Sequence, residues 1–468
     1  MAQKISSRSS SDPAGSADGH SIKFNSTNIT SKKESRLRDW LLVLVVQRLA
    51  AILLLRPGGF FYDYTDYHTY WMYARLFAEG FWPYRDFWLE YPPLFPLFNQ
   101  AIYALSLYFP DATRFSHHLF LALSLLPFDL GIVVLLYRIM RRMWDAARAE
   151  WAVAAWVLFF GPLFLWQGHF DTLPLFGLML VVWAMIERRP VWAGVGLAFG
   201  FLTKLLSVLA IPAALWAFAK AKPPRNPYIP EVEAETPLLG ERVPPEEGAL
   251  WIWSPLRLGA LFSRENGLML GTFVLLVTLV MAPLFVIGPE WMVATIRNFG
   301  GRGAWQTVWA LADGFYGYGL VHGDRFNPSP EFVAAPSRVP WLLVHALFAL
   351  VGGWLWTRRW RWERPKVQVA FVSVTVYLFY LWSKGWSPQF TLMLLPWILF
   401  LLPDGRGLAL VVFLTTLMGS ENIYYAFVVH RTEAPWMLIT IILLRTAALI
   451  GLTALAVGRL RAWSDKDQ

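Results

Sequence analysis

Twelve long apolar runs dominate this sequence and leave it few ways to fold. They lie near 40–56, 118–137, 150–167, 172–187, 190–203, 205–220, 267–288, 340–357, 367–383, 389–403, 407–428 and 435–458. A helix needs about 20 consecutive apolar residues to cross the hydrocarbon core of a bilayer, and most of the runs approach that length. We therefore predict an all-α polytopic membrane protein with about 12 transmembrane helices.

The composition agrees with this prediction and excludes several other classes of protein. Hydrophobic residues make up 56% of the 468 residues and charged residues only 16%, whereas soluble domains have roughly 45–50% and 25%. Many of the 26 Trp residues stand at the ends of the runs, where interfacial anchors are expected. The net charge of +9 comes from short Lys and Arg clusters between the runs, a pattern typical of membrane orientation rather than nucleic-acid binding. Because the chain has no Cys, disulfides, thiolate metal sites and thiol nucleophiles are excluded.

The run at 92–109 decides the predicted topology. If it dips into the outer interface and returns, 28 of the 41 Lys and Arg residues lie on one side of the membrane, 11 on the other and 2 within the spans. Cytoplasmic loops of membrane proteins carry an excess of Lys and Arg, so the side with 28 of them is predicted to be cytoplasmic. Pro92, Pro93, Pro96 and Pro110 also favour a short broken helix over a crossing. Both termini are then predicted to be cytoplasmic.

This topology divides the chain into segments. We predict a disordered cytoplasmic tail over 1–38, a transmembrane domain over 39–458 and a second cytoplasmic tail over 459–468. Within the domain, 57–117 is predicted to be an external loop with interfacial helices. Residues 221–266 are predicted to be a Pro- and Glu-rich cytoplasmic linker, and 289–339 a large external loop.

Polar residues that could carry chemistry concentrate on the predicted external side. Carboxylates there can act as general bases toward a hydroxyl group. Cations on that side run against the positive-inside trend, and a lipid-linked phosphate would account for them through charge-assisted hydrogen bonds. The alternative is that the charges belong to an ordinary solvated loop and the aromatic residues to the interfacial belt.

Short motifs follow one another in five regions of the chain. The first predicted external loop contains D-x-x-x-Y from Asp66 to Tyr70, G-x-x-P-Y-R-D-F from Gly80 to Phe87 and E-Y-P-P-L from Glu90 to Leu94. The later regions are the turn at 168–171, Phe201 to Pro212 with Thr203-Lys204, Arg302 to Thr307, and Lys384 to Phe390. In this order the motifs resemble those of GT-C superfamily glycosyltransferases, especially bacterial polyprenyl-phosphate-mannose-dependent mannosyltransferases. The turn resembles the family's G-Q-x-D with His169 in place of Gln, and Gln306-Thr307 stands in place of the family's Glu-Ser.

The resemblance implies a role for each of these residues. Asp66 would be the catalytic base, Asp171 would support it or orient the acceptor, and Glu90 would position the first loop or bind sugar hydroxyls. A helix N-terminal carboxylate is the alternative for Glu90. The donor phosphate would be held by Lys204, Arg302 and Lys384, and the substrate by Tyr70, Arg85, Asp86, His169 and Gln389. No metal or other cofactor is expected. The partners would be a polyprenyl-phosphate sugar, a glycan or lipid acceptor, and the lipids of the bacterial cell membrane.

Other interpretations of the sequence remain open. A secondary transporter or lipid flippase is the main alternative, although polar residues at one face and no internal repeat argue against it. A protein that only binds a lipid-linked sugar is another. Arg48, Asp129 and Arg445 are charged residues inside the apolar runs. Such residues are functional candidates by default. Snorkelling or pairing within the helix bundle is the simpler explanation for the two arginines, and a hydrogen bond to a neighbouring helix for Asp129.

Overall fold

The computed structural model describes residues 26–54, 66–109, 114–159, 161–164, 169–219, 259–314, 324–329, 337–425 and 435–465, with the backbone alone at 26–35 and 298–300. All secondary elements in these ranges are helical, apart from two isolated bridges. The α-helices are α1 Ser26–Leu54, α2 Tyr67–Ala78, α3 Leu94–Ser106, α4 Phe115–Met143, α5 Ala146–Leu158, α6 Thr172–Ile186, α7 Pro190–Lys204, α8 Ile211–Ala217, α9 Arg264–Ile287, α10 Pro289–Gly301, α11 Val308–Ala312, α12 Trp341–Thr357, α13 Pro365–Trp382, α14 Leu395–Leu401, α15 Gly405–Ile423 and α16 Pro435–Asp465. The 3-10 helices are Leu206–Ala210, Gly259–Leu261 and Pro388–Met393.

Each predicted apolar run overlaps at least one of these helices, which confirms the all-α prediction for the described residues. In that part of the chain, four helices, α4, α9, α13 and α16, are long and apolar enough to cross a membrane. Shorter apolar helices occupy Thr172–Ile186, Leu206–Ala217, Trp341–Thr357 and Pro388–Leu401. The chain is therefore a helical protein with several membrane-crossing candidates, and the full set of twelve crossings stays a prediction.

Two predicted tails are partly helical. Helix α1 begins at Ser26, so 26–38 is not disordered as its composition suggested, because the apolar helix continues back into the polar segment. Helix α16 likewise runs to Asp465, through most of the predicted tail at 459–468. The rest of the first tail, 1–25, and residues 221–258 of the predicted linker lie outside the described residues.

Close contacts between glycine residues join helices α6 and α7. A Cβ atom added to Gly177 of α6 would lie 2.8 Å from the backbone nitrogen of Gly200 on α7, and one added to Gly196 would lie 2.8 Å from the carbonyl oxygen of Gly177. Gly196 and Gly200 are four residues apart, so they share a helix face. Small residues on such a face let helix backbones approach closely in a bilayer. This contact sets the start of α6 beside the end of α7.

Ion pairs involve the charged residues that the sequence singled out inside the apolar runs, Arg48, Asp129 and Arg445. Arg48 Nε lies 2.8 Å from Asp129 Oδ2, and both side chains are buried. The other carboxylate oxygen of Asp129 accepts a hydrogen bond of 3.1 Å from Trp156 Nε1. Arg445 Nη1 lies 2.7 Å from Glu421 Oε2. Pairing within the bundle is thus confirmed for Arg48, Asp129 and Arg445.

Candidate active site

A cavity of about 800 Å³ lies where α2, the turn at 90–92, the end of α7, the segment 302–306 and the segment 383–390 meet. Six of the eleven residues singled out in the sequence line it: Asp66, Glu90, His169, Lys204, Arg302 and Gln389. These residues lie as many as 323 positions apart in the chain. The cavity also has an apolar wall, formed by Leu205, Leu206, Val208, Leu209 and Phe379.

Asp66 stands at the N-cap of α2, and three side chains contact the same oxygen of its carboxylate. Oδ2 accepts hydrogen bonds from Tyr70 Oη at 3.2 Å and Gln389 Nε2 at 3.1 Å, and His169 Nδ1 lies 3.4 Å from it. Among the described residues, none donates a hydrogen bond to Oδ1. The side chain keeps 37% of its surface exposed, so one oxygen remains available to a ligand.

The surroundings of Asp66 favour its ionised form. Burial acts to raise the pKa of this carboxyl, but His169, Lys204 and Tyr70 outweigh that effect and hold the pKa below its ordinary value. Tyr70 behaves in the opposite way, because burial and the Asp66 charge raise its pKa well above the usual range. Near neutral pH, therefore, Tyr70 donates a proton in its hydrogen bond and Asp66 is a carboxylate that can accept one.

Two of the cations on the cavity wall are already neutralised by carboxylates. Lys204 Nζ, at the end of α7, lies 2.6 Å from Asp171 Oδ1 at the start of α6. Arg325 donates to both oxygens of Glu90, at 2.5 and 3.1 Å, an arrangement that fixes both groups. Although burial acts to lower it, the Glu90 charge raises the pKa of Arg325.

Arg302 differs from these two cations, because no carboxylate of the described residues lies within ion-pair distance. Its guanidinium lies over the Trp305 ring, 3.9 Å from the centroid, and its buried Nε has no hydrogen-bond partner in the described part of the protein. Burial lowers the pKa of Arg302, yet a guanidinium stays protonated at any physiological pH. Among the described residues that line the cavity, Arg302 is thus the cation without a carboxylate partner, and Asp66 is the carboxylate that no Lys or Arg neutralises.

Three predicted residues lie elsewhere. Arg85 Nη2 and Asp86 Oδ2 are 2.6 Å apart, and Asp86 also accepts the Trp82 backbone N–H at 2.7 Å. These residues therefore close an exposed turn outside the cavity. The Lys384 ammonium lies over the Trp341 ring, 4.9 Å from its centroid, and is not on the cavity wall. Its backbone contributes instead, since the Lys384 carbonyl accepts the Trp305 N–H at 3.0 Å.

Tyr70 and Asp171 stand directly behind the cavity wall. Tyr70 reaches the cavity only through its bond to Asp66, and Asp171 only through Lys204. Asp171 is fully buried, and its Oδ2 has no hydrogen-bond partner among the described residues. Their positions suit support of the two ionised groups rather than direct contact with a ligand.

The sequence interpretation missed several polar residues of the cavity, among them Arg325, Asn422 and Tyr425. Arg325 belongs, like Arg302, to the loop 289–339 that is predicted to be external, so the same charge argument could have included it. It is held at the wall because Trp88 donates its backbone N–H to the Arg325 carbonyl at 3.1 Å and its indole N–H to the Asp324 carbonyl at 3.1 Å. Asn422 lies in the last turn of the apolar helix α15 and Tyr425 follows that helix, and no sequence pattern singled out either residue.

The arrangement combines a proton acceptor with an anion-binding group. Asp66 can take a proton from a hydroxyl group through its available oxygen. Arg302 can bind a phosphate group, for which guanidinium geometry is well suited. Among the described residues, no group of three or more His, Asp and Glu side chains is arranged to hold a metal ion.

Comparison with known proteins gives few matches. No family model matches the chain, and neither does any curated protein. Two solved structures align with it. One is the archaeal oligosaccharyltransferase AglB from Archaeoglobus fulgidus in complex with an inhibitory peptide and a dolichol-phosphate, with 12% identity and a TM-score of 0.38, covering 92% of this chain and 56% of that protein. The other is the apo form of the Archaeoglobus fulgidus oligosaccharyltransferase, with 12% identity, a TM-score of 0.34 and the same coverages. The chain spans about half the length of the solved proteins it matches, and alignments with such scores establish neither a common fold nor a common activity.

Proposed function

We propose that this protein is an integral membrane glycosyltransferase, which moves a sugar from a polyprenyl-phosphate donor to a hydroxyl group of a glycan or lipid acceptor. One observation carries the proposal: a single cavity contains a carboxylate with an available oxygen, Asp66, and a guanidinium without a carboxylate partner among the described residues, Arg302. The reaction needs both, because one substrate must lose a proton and the other leaves as a phosphate.

The chemistry follows from these two groups. The acceptor oxygen attacks the anomeric carbon of the sugar while its proton passes to Asp66 Oδ1. The bond between that carbon and the phosphate oxygen breaks, and its electron pair leaves with polyprenyl phosphate. Negative charge grows on the phosphate, where Arg302 stabilises it. Since a single displacement takes place from the opposite face of the sugar, the configuration at the anomeric carbon is inverted.

The charges of the cavity favour a monophosphate donor. A sugar phosphate diester carries one negative charge, which matches Arg302, the cation of the described lining residues that has no carboxylate partner. The pairs Lys204–Asp171 and Arg325–Glu90 contribute no net charge. The volume of about 800 Å³ lies within the range of roughly 300–1,000 Å³ usual for ligand sites. The apolar wall from Leu205 to Leu209 suits the first isoprene units of a lipid chain.

The finer parts of the proposal rest on the motifs. The order of the motifs supports mannose as the sugar and a GT-C-type architecture with about twelve crossings. The distribution of Lys and Arg supports a site at the external face of the cell membrane and both termini in the cytoplasm. Lys204 would exchange its Asp171 partner for the donor phosphate when the donor binds.

The proposal is tested by direct assay of the purified protein in lipid nanodiscs. A panel of radiolabelled polyprenyl-phosphate sugars, mannose among them, is incubated with glycan and lipid acceptors. We expect transfer of the label from at least one donor. The same protein in proteoliposomes is assayed for translocation of the lipid-linked sugars. Translocation without transfer would contradict the proposal and favour the flippase.

A matched pair of variants tests the phosphate site. Arg302→Gln should weaken the binding of polyprenyl phosphate, the product, because it removes the unpaired cation. Arg85→Gln removes an external cation outside the cavity and should bind the product like wild type. Equal binding by all three proteins would place the phosphate elsewhere.

A further inference from the structure

A buried ion pair lies behind the wall that carries Arg302. Glu421 of α15 is fully buried, and Arg445 of α16 is 4% exposed. Their contact, 2.7 Å between Arg445 Nη1 and Glu421 Oε2, lies inside two of the apolar runs. Replacing a buried ion pair by apolar residues is often neutral or even stabilising. Stability alone therefore gives little reason for two charges here.

Arg445 makes a second contact, which leads toward the cavity. Its Nη2 donates to the backbone carbonyl of Gln306, and its guanidinium lies 4.4 Å from the centroid of the Trp386 ring. Gln306 lines the cavity and has a φ of 53°. A residue other than Gly in this left-handed region is strained and persists only when its surroundings hold it. Arg445 supplies one such constraint.

The segment that ends at Gln306 carries the phosphate-binding cation. Trp305 donates its N–H to the Lys384 carbonyl at 3.0 Å, and its own carbonyl accepts the Trp386 N–H at 3.1 Å. The Trp305 ring in turn supports the Arg302 guanidinium at 3.9 Å. A continuous set of contacts thus runs from Arg445 through Gln306 and Trp305 to Arg302.

We propose that Arg445, held by Glu421, is a positioning residue for the anion-binding wall of the cavity: it fixes Gln306, and through it the orientation of Trp305 and Arg302 toward the donor phosphate. This inference rests on the proposed function. Arg445 itself does not line the cavity and does not touch the substrate. Its planar guanidinium can bond Glu421 and the Gln306 carbonyl at once, which the single ammonium of a lysine cannot do in the same geometry.

The experiment compares Arg445→Lys with a matched control, Arg48→Lys. Arg48 forms the other buried ion pair, with Asp129, and neither of these residues lines the cavity. Binding of polyprenyl phosphate to protein in nanodiscs is titrated for both variants and for wild type. We expect Arg445→Lys to weaken binding by about tenfold, within the range usual for residues that act through a neighbour. Arg48→Lys should leave binding unchanged, even if both variants melt at a lower temperature.

A second comparison separates positioning from loosening of the bundle. If Arg445 acts through Arg302, Arg445→Lys should have no further effect on binding in an Arg302→Gln background, because the two changes are then not additive. Glu421→Gln, which keeps the shape of the side chain, should weaken binding in the same direction and serves if Arg445→Lys does not fold. Wild-type binding of polyprenyl phosphate by both Arg445→Lys and Glu421→Gln would overturn the inference. Equal losses of binding in Arg445→Lys and Arg48→Lys would overturn it too. If the wild type binds no polyprenyl phosphate, the proposed donor fails and the positioning role fails with it.

Discussion

At the residue scale, the reactivity of Asp66 follows from how its two oxygens differ. Tyr70, Gln389 and His169 all contact Oδ2, which fixes the carboxylate plane and leaves Oδ1 for a substrate. Preorganisation of this kind is what a general base needs, because the proton must be within hydrogen-bond reach when the bond forms.

Asp66→Asn keeps the size of the side chain and removes its ability to accept a proton. Turnover should fall by about 10²–10⁴-fold, the usual contribution of general base catalysis, with little change in donor affinity. Asp86→Asn is the control, since that carboxylate is on the same loop but lies outside the cavity. Initial rates with saturating donor measure the effect. A purified Asp66→Asn enzyme with the turnover of wild type would falsify the assignment of the base.

The pH dependence of the reaction gives a second test at this scale. Because the pKa of Asp66 lies below its ordinary value, the acidic limb of kcat/KM should fall below the pH at which an unperturbed aspartate titrates. His169 contributes to the ionised state of Asp66, so its removal in His169→Leu should raise the pKa of Asp66. The acidic limb should then move to higher pH, while Arg85→Gln leaves it in place. A limb that stays put or moves to lower pH in His169→Leu would contradict the role given to His169.

The sequence singled out charged residues where their predicted location was unusual for a charge. Asp66, Lys204 and Arg302 stood out as polar groups on the predicted external side, and the structure brings them to one cavity. Their partners could not be predicted in the same way. Whether a cation is neutralised depends on contacts across the fold, such as that of Lys204 with Asp171, and sequence spacing does not contain them. Lys384 shows the opposite case, because its backbone contributes to the wall while its side chain lies over Trp341.

At the scale of elements, the segment at 383–387 holds the wall of the cavity through one close approach. A Cβ atom at Gly385 would overlap the Trp305 indole ring, so only glycine fits beneath it. The parallel bridge between Trp305 and Gly385 joins two segments that are both outside the regular helices. The position of Arg302 therefore depends on a residue with no side chain.

Gly385→Ala should move the Trp305 ring and, with it, the Arg302 guanidinium. We expect a loss of about 1–3 kcal/mol in the free energy of unfolding, the usual effect of overpacking, together with weaker binding of polyprenyl phosphate. Gly303→Ala is the control, because a Cβ atom there meets no other atom within 4 Å. Thermal melts measure the change in stability, and titrations of polyprenyl phosphate in nanodiscs measure the change in binding. Equal behaviour of the two variants would show that the Trp305 contact does not set the wall.

Hydropathy located the helices and several of their breaks, but not the backbone conformation at those breaks. Every apolar run overlaps a helix, because burial in lipid or in the bundle favours apolar sequence in either case. The runs also end at 203 and 383 and resume at 205 and 389. After Lys204, Leu205 has a φ of 61° and a 3-10 helix follows, whereas Ser387 is extended before the 3-10 helix Pro388–Met393. These conformations direct Lys204 and Gln389 into the cavity, and apolar content alone does not reveal them.

At the scale of the whole molecule, helix α4 connects the side of the cavity to the opposite face. It has 29 residues, which gives a length of about 43 Å at 1.5 Å per residue, more than the roughly 30 Å of the hydrocarbon core. The loop with Asp66 precedes this helix, and Arg141 and Arg142 lie in its last turn. If α4 crosses, the cavity and this basic cluster face different compartments.

Labelling of single cysteines tests on which side the cavity opens. The chain has no Cys, so Arg85→Cys and Arg141→Cys each introduce a single thiol at an exposed position. An impermeant maleimide added to intact cells should label the Arg85 site and not the Arg141 site, because the positive-inside rule places the Arg141 cluster in the cytoplasm. Permeabilised cells should label both, and inverted vesicles should show the reverse pattern. Labelling of the Arg141 site alone in intact cells would place the cavity on the cytoplasmic face, and the donor would then have to enter from the inner leaflet.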